Sequence, residues 1–318
     1  MQDQILAEIL SRWNIALGKI RPELLIAGSP ERSEYRVVVE SADGRLYILE
    51  KIALRLRERK TRIARTLESL AGFGLPELHP YLRDVTGEFL SPVSDGLWQV
   101  VTFVPGVNLE RPQYVHEHWR GQAMADLLIR LRQAAHKLPS VSNETVFSLP
   151  HYIDGLMRAV KLNRPDIMPR VQNMYDFARQ NLYPVFASLP SGFCHGDYHP
   201  VNIIWKERGI AALIDWEFMG MKPELYDAAN MVGCLGIEDP ECLWSGSAVD
   251  FITDLKAAAL WSDVSFASFP ELVMSLRFAW LSEWLRKEDE EMIGMELDYF
   301  DVLNANRDDL ARLWQCRR

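Results

Sequence analysis

Residues 194–202, with the sequence CHGDYHPVN, concentrate side chains that could bind a metal ion or transfer a proton. His195, Asp197 and His199 alternate as metal ligands on a strand would. Asp197 and Asn202 instead lie five residues apart, like the base and the metal ligand of a phosphoryl-transfer loop. A zinc site built on histidine nitrogens needs a further ligand, and no third histidine lies nearby in the sequence. The pattern favours phosphoryl transfer over zinc-dependent hydrolysis and leaves His199, which precedes a proline, as a turn residue.

A short hairpin follows this cluster and adds a second carboxylate. The segments NIIW and IAALIDW, joined by KERG, predict two antiparallel strands. Asn202 at the start of the first strand and Asp215 at the end of the second therefore meet at one end of the hairpin, which Asp197 on the preceding loop can also reach. Two carboxylates and an amide oxygen are hard ligands of the kind that Mg²⁺ takes when phosphates complete its octahedron.

The elements that must position these residues fall into a strand-rich first part and a helical second part. YRVVVESADGRLYILEKIAL predicts two strands joined at Asp43-Gly44, and RLRERKTRIARTLESLAGFG predicts a helix that stops at its glycines. LWQVVTFVPG predicts a buried strand. MQDQILAEILSRWNIALGKI and most of the chain after residue 112 have helical apolar spacing. These patterns predict an α+β fold.

The composition excludes several other classes of function. A formal net charge of −9 disfavours a nucleic acid or an anionic membrane as the main partner, because both require a concentrated positive surface. The cysteines form no C-x-x-C pair, which indicates a reducing compartment. Residues 1–20 lack the basic start of a signal peptide, and no run of about 18 apolar residues could span a bilayer. The sequence predicts a soluble, cytoplasmic protein without a nucleic-acid or membrane partner.

HGDYHPVNIIW followed by LIDWE resembles the aminoglycoside phosphotransferase and choline kinase family, whose members are relatives of the protein kinases. The aspartate and the asparagine have the separation of the kinase catalytic-loop signature, and IDWE stands where the kinase D-F-G stands. The resemblance implies a protein-kinase-like two-lobed fold. It implies a small antiparallel-sheet lobe over residues 1–103 that binds the nucleotide, and a larger helical lobe over residues 104–318 with the catalytic loop and the acceptor site.

The same resemblance implies roles for individual residues around the catalytic loop. Asp197 is expected to accept or orient the proton of the substrate hydroxyl, and His195 to support the loop. Asn202 and Asp215 are expected to hold Mg²⁺. Asp227 in ELYDAAN reads by itself as a helix N-cap, whereas the matching aspartate of the family braces the catalytic loop.

Nucleotide-binding residues are expected in two stretches of the first lobe. The loop from Gly28 to Ser33, with Ser29 as a further hydroxyl donor, is the candidate for covering the triphosphate, although phosphate loops usually contain more glycines. The stretch VTFV resembles the hinge whose backbone reads the adenine edge, which assigns Thr102 and Val104 to the nucleotide.

A lysine on the strand YILEKI should contact the α- and β-phosphates. Lys51 is the choice because it shares a strand face with Tyr47 and Leu49, and Glu68 on the next helix is its candidate partner. A family-style alignment would instead put Glu50 at the lysine position and an isoleucine at the glutamate position. Both alignments remain open at this point.

Trp280, Glu283 and Trp284 in LRFAWLSEWL are candidates for the acceptor side. The tryptophans lie four residues apart on one helical face, which is typical of a core but also suits an amine through cation–π attraction. This stretch resembles homoserine kinase-type members of the family. Aminoglycoside, choline or ethanolamine, homoserine and sugar acceptors, cationic ones included, all stay open.

The sequence as a whole predicts an ATP-dependent, Mg²⁺-requiring phosphotransferase that acts on a hydroxyl group of a small molecule. The main alternative is a nucleotide-binding pseudokinase or regulatory protein without transfer activity, because the phosphate loop is poor in glycine and a family-style alignment puts Glu50 and Ile63 where the lysine and its glutamate partner are expected. A metal-dependent hydrolase is the third possibility.

Overall fold

The structure, a computed structural model, describes residues 2–29, 31, 33–93, 96–138 and 146–314 of the 318-residue chain. One of the four cysteines, Cys316, lies outside these ranges. Cys194, Cys234 and Cys242 are buried free thiols, and burial raises the pKa of each. These three thiols are therefore inert packing groups rather than nucleophiles.

Strands and helices alternate in the N-terminal part, and helices predominate afterwards. The strands are β1 (Leu17–Ile20), β2 (Tyr35–Ser41), β3 (Leu46–Ile52), β4 (Ser91–Val93), β5 (Gly96–Thr102), β6 (Ser191–Cys194), β7 (Ile203–Trp205), β8 (Ile210–Leu213) and β9 (Gly220–Pro223). The helices are α1 (Gln2–Ser11), α2 (Arg57–Gly72), α3 (His118–Ala135), α4 (Leu149–Asn163), α5 (Met168–Asn181), α6 (Tyr183–Phe186), α7 (Tyr226–Glu238), α8 (Ser247–Ala257), α9 (Asp263–Ala267), α10 (Phe269–Lys287), α11 (Glu290–Ala305) and α12 (Arg307–Leu313).

Contacts within the chain divide it into two compact units, each built from more than one stretch of sequence. The first comprises Met1–Asn108, Gln133–Leu138 and Val201–Glu217. The second comprises Leu109–Arg132, Pro139–Pro200 and Phe218–Arg318. The expectation that residues 1–103 bind the nucleotide and residues 104–318 hold the acceptor concerns roles rather than contacts, and it stays a prediction.

A single antiparallel sheet organises the first unit, with its strands in the order β1-β2-β3-β5-β4. The β2–β3 hairpin turns at Gly44, whose φ of 83° is the left-handed conformation that favours glycine. Directly opposite residues share a face, so the pairing of Arg36 with Glu50 and of Glu50 with Gln99 aligns three polar side chains on one face.

The opposite face of this sheet packs against helix α1. Their shared core consists of Leu6, Ile9, Leu10, Trp13, Ile15, Val37, Val39, Tyr47, Leu49, Val93, Trp98 and Val100. Side chains alternate along β3, so Tyr47 and Leu49 face α1 while Ile48 and Glu50 face the other way. Helix α1 ends earlier than the quoted N-terminal pattern predicted, because Asn14 adopts a left-handed φ of 55° and the chain continues as the edge strand β1.

Helix α2 buries one stripe of side chains at helical spacing, as the sequence predicted. The buried residues are Lys60, Ile63, Ala64, Leu67 and Leu70. The helix ends at Gly72, and the φ of 97° at Gly74 fits the predicted stop. A lysine at the start of an otherwise apolar stripe is the unusual feature of this helix.

The β7–β8 hairpin also belongs to the first unit. Its strands pair antiparallel with Ile203 opposite Leu213. The N–H of Ile214 donates to the carbonyl oxygen of Asn202 at 2.9 Å. Asn202 and Asp215 therefore lie at the same end of the hairpin, as the predicted antiparallel pairing requires.

The second unit is mainly helical, and β6 pairs with β9 beside its helices. Helix α7 is buried along almost its whole length, and Arg277 of α10 forms a buried ion pair with Glu296 of α11, with 2.9 Å between Nε and Oε2. No described helix is long and apolar enough to cross a membrane. The predicted α+β composition, an antiparallel sheet followed by a larger helical part, is confirmed.

Candidate active site

A cavity in the first unit is lined by the sheet, helix α2 and the β7–β8 hairpin. Ile48 of β3, Ile63 of α2 and Ile204 of β7 supply apolar side chains to its wall. The segment Val101–Val104, at the end of β5, lines the same cavity and contains the predicted hinge residues Thr102 and Val104. An apolar slot beside an extended backbone segment suits a planar heteroaromatic base.

Charged side chains line this cavity as well. The carboxylates are those of Glu50, Asp215 and Glu217, and the cationic side chains that the described residues place there are Arg36 and Lys60. A bound triphosphate would add negative charge to this excess of carboxylates. The donor set therefore fits a divalent cation, which would offset the repulsion between protein carboxylates and phosphates.

Lys60 and Glu217 form a buried ion pair in the cavity wall. The Nζ atom of Lys60 contacts the Glu217 carboxylate, and Lys60 is 4% exposed. The Nε atom of Arg59 lies 3.1 Å from Oε2 of the same carboxylate, but the Arg59 side chain is 39% exposed. Removing an ammonium group from water is costly unless it is paired, so Glu217 keeps the Lys60 charge inside the cavity.

Glu50 faces the same cavity from β3. The Nε2 atom of Gln99 donates a hydrogen bond to Oε2 of Glu50 at 2.6 Å. Burial, together with the nearby Glu50, Glu217 and Asp215 carboxylates, raises the pKa of Tyr81, which also lines the cavity. Tyr81 is therefore a neutral hydroxyl at physiological pH.

The predicted phosphate loop lines the cavity through Gly28 and Ser29. Arg36 of β2 donates to the carbonyl oxygens of Ile26, Gly28 and Ser29 at 3.2, 3.0 and 3.3 Å. Gly28 has a φ of 85°, which favours glycine, and the guanidinium holds the backbone carbonyls of the segment from Ile26 to Ser29. An arginine brace thus accompanies the low glycine content of this loop.

Asp215 stands where the hairpin and this loop meet. Its Oδ2 atom accepts a hydrogen bond of 3.3 Å from the N–H of Ser29, and the residue has a φ of 64°, uncommon for a non-glycine residue. Asn202 is buried at the same end of the hairpin. The two residues offer the carboxylate and amide oxygens that a magnesium ion accepts, with phosphates and water completing the coordination.

The predicted catalytic loop, in the second unit, is held by Asp227. The two carboxylate oxygens of Asp227 accept hydrogen bonds from the backbone N–H groups of His195 and Gly196, at 2.7 and 2.8 Å. Gly196 has a φ of 85°, and a Cβ there would lie 2.0 Å from the carbonyl oxygen of Phe218, so only glycine fits. The N-cap interpretation of Asp227 is wrong, because helix α7 begins at Tyr226 and has no side-chain cap.

Asp197 is the partly exposed carboxylate of this loop, with 24% of its side chain accessible. Its backbone N–H donates to Nδ1 of the buried His195 at 3.2 Å, which is the supporting contact expected of that histidine. The Nε2 atom of His199 lies 3.5 Å from Oδ1 of Asp197, and the His199 ring packs edge-on against Trp280 at 5.3 Å between centroids. His199 is therefore more than a turn residue.

The predicted acceptor residues of helix α10 separate into two environments. Trp280 donates from Nε1 to Oδ1 of Asn230 at 3.0 Å, and this asparagine donates to the carbonyl oxygen of Tyr198. Trp280 is thereby connected to the predicted catalytic loop. Glu283 instead pairs with Arg286 and Lys287 at 2.7 and 3.0 Å, partly exposed to solvent.

Three of the predicted nucleotide-binding residues do not line the cavity. Lys51 lies on the α1 side of the sheet, the same side as Leu49. Its side chain runs past Gly96, because a Cβ added to Gly96 would lie 2.7 Å from Cε of Lys51. Glu68 binds Arg83 at 2.6 and 2.8 Å, because it lies one position beyond the buried stripe of α2. The Oγ atom of Ser33 is buried without a hydrogen-bond partner among the described residues.

Two buried lysines were missed by the sequence reasoning. Lys60 could have been found from its place in the Ile63, Ala64 and Leu67 stripe, which marks it as inward-facing. Lys222 of β9 lies over the rings of Phe147 and Tyr226 at 4.6 and 5.0 Å, and burial lowers its pKa. No spacing signal in the sequence indicates Lys222.

Comparison with known proteins identifies the family. The model of the phosphotransferase enzyme family matches residues 27–260, which is more than half of the chain. The chain belongs to this phosphotransferase enzyme family. A homoserine kinase of Rhodospirillum rubrum is 25% identical to this phosphotransferase over 316 residues, which cover 96% of the chain and 94% of that kinase.

Solved structures show the same fold at low sequence identity. A microcompartment-associated aminopropanol kinase has a TM-score of 0.70 and 14% identity, with coverage of 97% of this chain and 98% of the other. An aminoglycoside phosphotransferase of Alicyclobacillus acidocaldarius has a TM-score of 0.66 and 16% identity, with coverage of 96% and 94%. The protein-kinase-like fold is thereby confirmed. The family match and the homoserine kinase relative confirm the assignment as a small-molecule kinase. The roles of individual residues in this phosphotransferase stay predictions.

Proposed function

We propose that this phosphotransferase transfers the γ-phosphoryl group of ATP, with Mg²⁺, to the hydroxyl group of a small amino alcohol. Two comparisons support the acceptor class. The homoserine kinase matches nearly the whole length of the chain, and the aminopropanol kinase shares its fold. Homoserine and aminopropanol each carry one amine and one hydroxyl on a short carbon chain. We further expect the enzyme to act in the cytoplasm, where ATP is abundant.

The observation that carries this proposal is the arrangement around Asp197. Asp227 accepts the N–H groups of His195 and Gly196, so the loop backbone is fixed while the neighbouring Asp197 carboxylate keeps solvent access. A carboxylate in such a position can accept a hydrogen bond from an alcohol and orient its oxygen for attack. A general base that is positioned by backbone contacts loses little entropy when the alcohol binds.

The nucleotide is assigned to the cavity of the first unit. Its apolar slot and the Val101–Val104 segment suit adenine, and Gly28 and Ser29 line the part of the cavity that also contains Asp215. Asp215 and Asn202 would hold the magnesium ion, which when bound neutralises charge on the β- and γ-phosphates. Phosphoryl transfer needs this positioning and charge compensation more than covalent help from the protein.

Trp280 is the best-supported acceptor-side residue. It is connected to the predicted catalytic loop through Asn230 and through its contact with His199. The Arg277 guanidinium lies 5.8 Å from the centroid of the Trp280 ring, a cation–π contact of the kind that an ammonium group would make. Glu283 is already paired with Arg286 and Lys287, so it is the weaker candidate for binding the amine.

The test is a panel of acceptors assayed by ADP release and by mass spectrometry of the product. L-homoserine, aminopropanol, ethanolamine, choline and an aminoglycoside are compared with two matched controls. The first, α-aminobutyrate, keeps the amine of homoserine and lacks the hydroxyl. The second, γ-hydroxybutyrate, keeps the hydroxyl and lacks the amine.

We expect at least one amino alcohol to give acceptor-dependent ADP release and a phosphorylated product, with no product from α-aminobutyrate. A much weaker response to γ-hydroxybutyrate than to homoserine would support recognition of the amine. Tight MgATP binding without transfer to any acceptor would overturn the proposal and favour a nucleotide-binding protein without transfer activity.

A further inference from the structure

The cation that the strand β3 was expected to supply does not lie in the nucleotide cavity. Alternation along β3 directs Glu50 into the cavity and Lys51 toward the α1 side of the sheet. Lys51 borders a separate groove with Glu34, Ala53 and Gly96. A shift of one residue in a strand reverses the face of every side chain, so Lys51 cannot reach the cavity without repacking the strand.

Helix α2 supplies a cation in its place. Lys60 begins the buried stripe of this helix, is 4% exposed and lines the cavity beside Asp215 and Glu217. A leucine or methionine would fill the same position without desolvating a charge, and buried ion pairs are weak contributors to stability. The burial of Lys60 in the cavity wall therefore points to a role with a ligand.

The second described cation of the cavity is committed elsewhere. Arg36 donates to three carbonyl oxygens of the loop that contains Gly28 and Ser29. A guanidinium that moved to a phosphate would release these carbonyls, whose hydrogen bonds hold the loop. Within the described part of the chain, Lys60 pairs with one carboxylate, that of Glu217.

Glu217 can give up Lys60 because it has a second cation. The Nε atom of Arg59 lies 3.1 Å from Oε2 of Glu217, and a further guanidinium nitrogen of Arg59 donates to the Glu217 carbonyl oxygen. If Lys60 turned toward an incoming phosphate, Arg59 would still neutralise the buried carboxylate. Of the two cations around Glu217, Lys60 lines the cavity and Arg59 does not.

We infer that Lys60, on helix α2, is the side chain that binds the phosphates of the nucleotide, in the role that a strand lysine was expected to fill. This inference rests on the proposed function, since it takes ATP as the ligand of the cavity. The ammonium group would leave Glu217 and contact the α- or β-phosphate, while Glu50 stays bound to Gln99.

The test compares the binding of MgATP and of adenosine by calorimetry in the parent and three variants. Lys60→Met removes the inner cation, Arg59→Met removes the outer cation of the same carboxylate, and Lys51→Met removes the strand lysine. Adenosine has the same base and sugar but no phosphates. We expect Lys60→Met to weaken MgATP about tenfold or more, the usual effect of a lost charge-assisted hydrogen bond, and to change adenosine affinity less than about twofold.

Lys51→Met should change MgATP affinity by less than about threefold, since the Lys51 side chain does not line the cavity. Arg59→Met should weaken MgATP less than Lys60→Met does and leave adenosine affinity unchanged, because Glu217 would keep no cation when Lys60 turns toward a phosphate. Unchanged MgATP binding in Lys60→Met, or a tenfold loss in Lys51→Met alone, would overturn the inference. Equal weakening of MgATP and adenosine in Lys60→Met would also overturn it, because the effect would then be structural.

A second variant keeps the test decisive if Lys60→Met unfolds. The double variant Lys60→Met/Glu217→Gln removes both charges of the pair and should fold, with the same selective loss of MgATP affinity. The parent separates the two claims. If the parent binds MgATP no better than adenosine, the proposed function is contradicted as well. If the parent prefers MgATP and the double variant prefers it to the same degree, only the role of Lys60 is contradicted.

Discussion

Two buried carboxylates of this phosphotransferase are stabilised by different kinds of hydrogen-bond donor. Asp227 in the second unit accepts hydrogen bonds from two backbone N–H groups of the predicted catalytic loop, which are uncharged and fixed by the fold. Glu217 in the first unit is bound by Lys60 and Arg59, whose side chains can move. Backbone donors hold one shape whatever is bound, and a charged side chain can be transferred to an incoming anion. The Asp227 contacts therefore hold the loop at residues 195–197 in one conformation, which we call the rigid frame. The ion pairs of Glu217 can rearrange when an anion binds, so we call the cavity the adjustable side.

The largest effect should come from removing the reactive group of the rigid frame. Asp197→Asn should lower turnover by about 10³-fold or more, within the range that general base catalysis contributes, and should leave MgATP affinity within about twofold. Steady-state kinetics and calorimetry on the same preparation check both statements. If Asp197→Asn turned over substrate as fast as the parent, Asp197 could not be the general base.

The role of Asp227 in the rigid frame can be tested by the pH dependence of the free energy of unfolding. Burial raises its pKa from 3.8 to about 6, against the opposing effect of the Gly196 and His195 N–H groups. Between about pH 4 and 6 the native state then binds a proton that the unfolded state has lost, so this group makes stability fall as pH rises through that window. The total should approach about 3 kcal/mol, at roughly 1.4 kcal/mol per pKa unit.

Asp227→Asn removes this titration, so the stability of the parent relative to the variant should decrease from pH 4 to pH 6. Urea unfolding at several pH values measures the difference. A difference that stays constant or grows with pH would show that the ionised carboxylate is not held at a desolvation cost.

Substitution of Asp215 tests the metal-binding role proposed for the adjustable side. Asp215→Asn should lower Mg²⁺-dependent turnover on the order of 10²-fold, because the metal ion loses a charged ligand. Asparagine tolerates the left-handed φ of 64° at this position better than alanine, so the thermal midpoint without metal should stay close to that of the parent. The Mg²⁺ concentration that gives half-maximal activity is measured for the parent and for Asp215→Asn. An equal value in both, together with a lowered thermal midpoint in the variant, would show that Asp215 is structural.

The smallest effect is expected at Glu68, which a strand-lysine pair would have needed. Its ion pair with Arg83 is about half exposed, and such pairs contribute up to about 1 kcal/mol. Glu68→Ala should therefore leave MgATP affinity unchanged and lower stability by no more than about 1 kcal/mol. A tenfold loss of MgATP affinity would restore the arrangement in which Glu68 partners a phosphate-binding lysine.

The parts of the site that follow from local spacing were predictable from the sequence. The separation of Asp197 and Asn202 is a property of one loop, and the antiparallel hairpin brings Asn202 and Asp215 to one end in any register that pairs its strands. The helix α2 and the β2–β3 hairpin follow likewise from apolar period and turn residues.

The parts that depend on which face is buried were not predictable in the same way. Choosing Lys51 over Glu50 required knowing which side of β3 packs against α1, and both sides of a covered strand carry apolar residues. The hydrogen bond that the His195 N–H donates to Asp227 links residues 32 positions apart, so no local pattern shows it. Only the inward position of Lys60 had a signal, in the helical spacing of its neighbours.

The most direct test of the central claim is a single-turnover experiment with ATP labelled in its γ-phosphoryl group and excess enzyme. The label is followed by rapid quench, with L-homoserine or the best acceptor of the panel. Direct transfer predicts that the label passes from ATP to the acceptor hydroxyl in one step, with no label on the quenched protein and none transferred by Asp197→Asn. Label that forms a covalent protein adduct, or that is released as inorganic phosphate at the same rate with and without acceptor, would contradict the account.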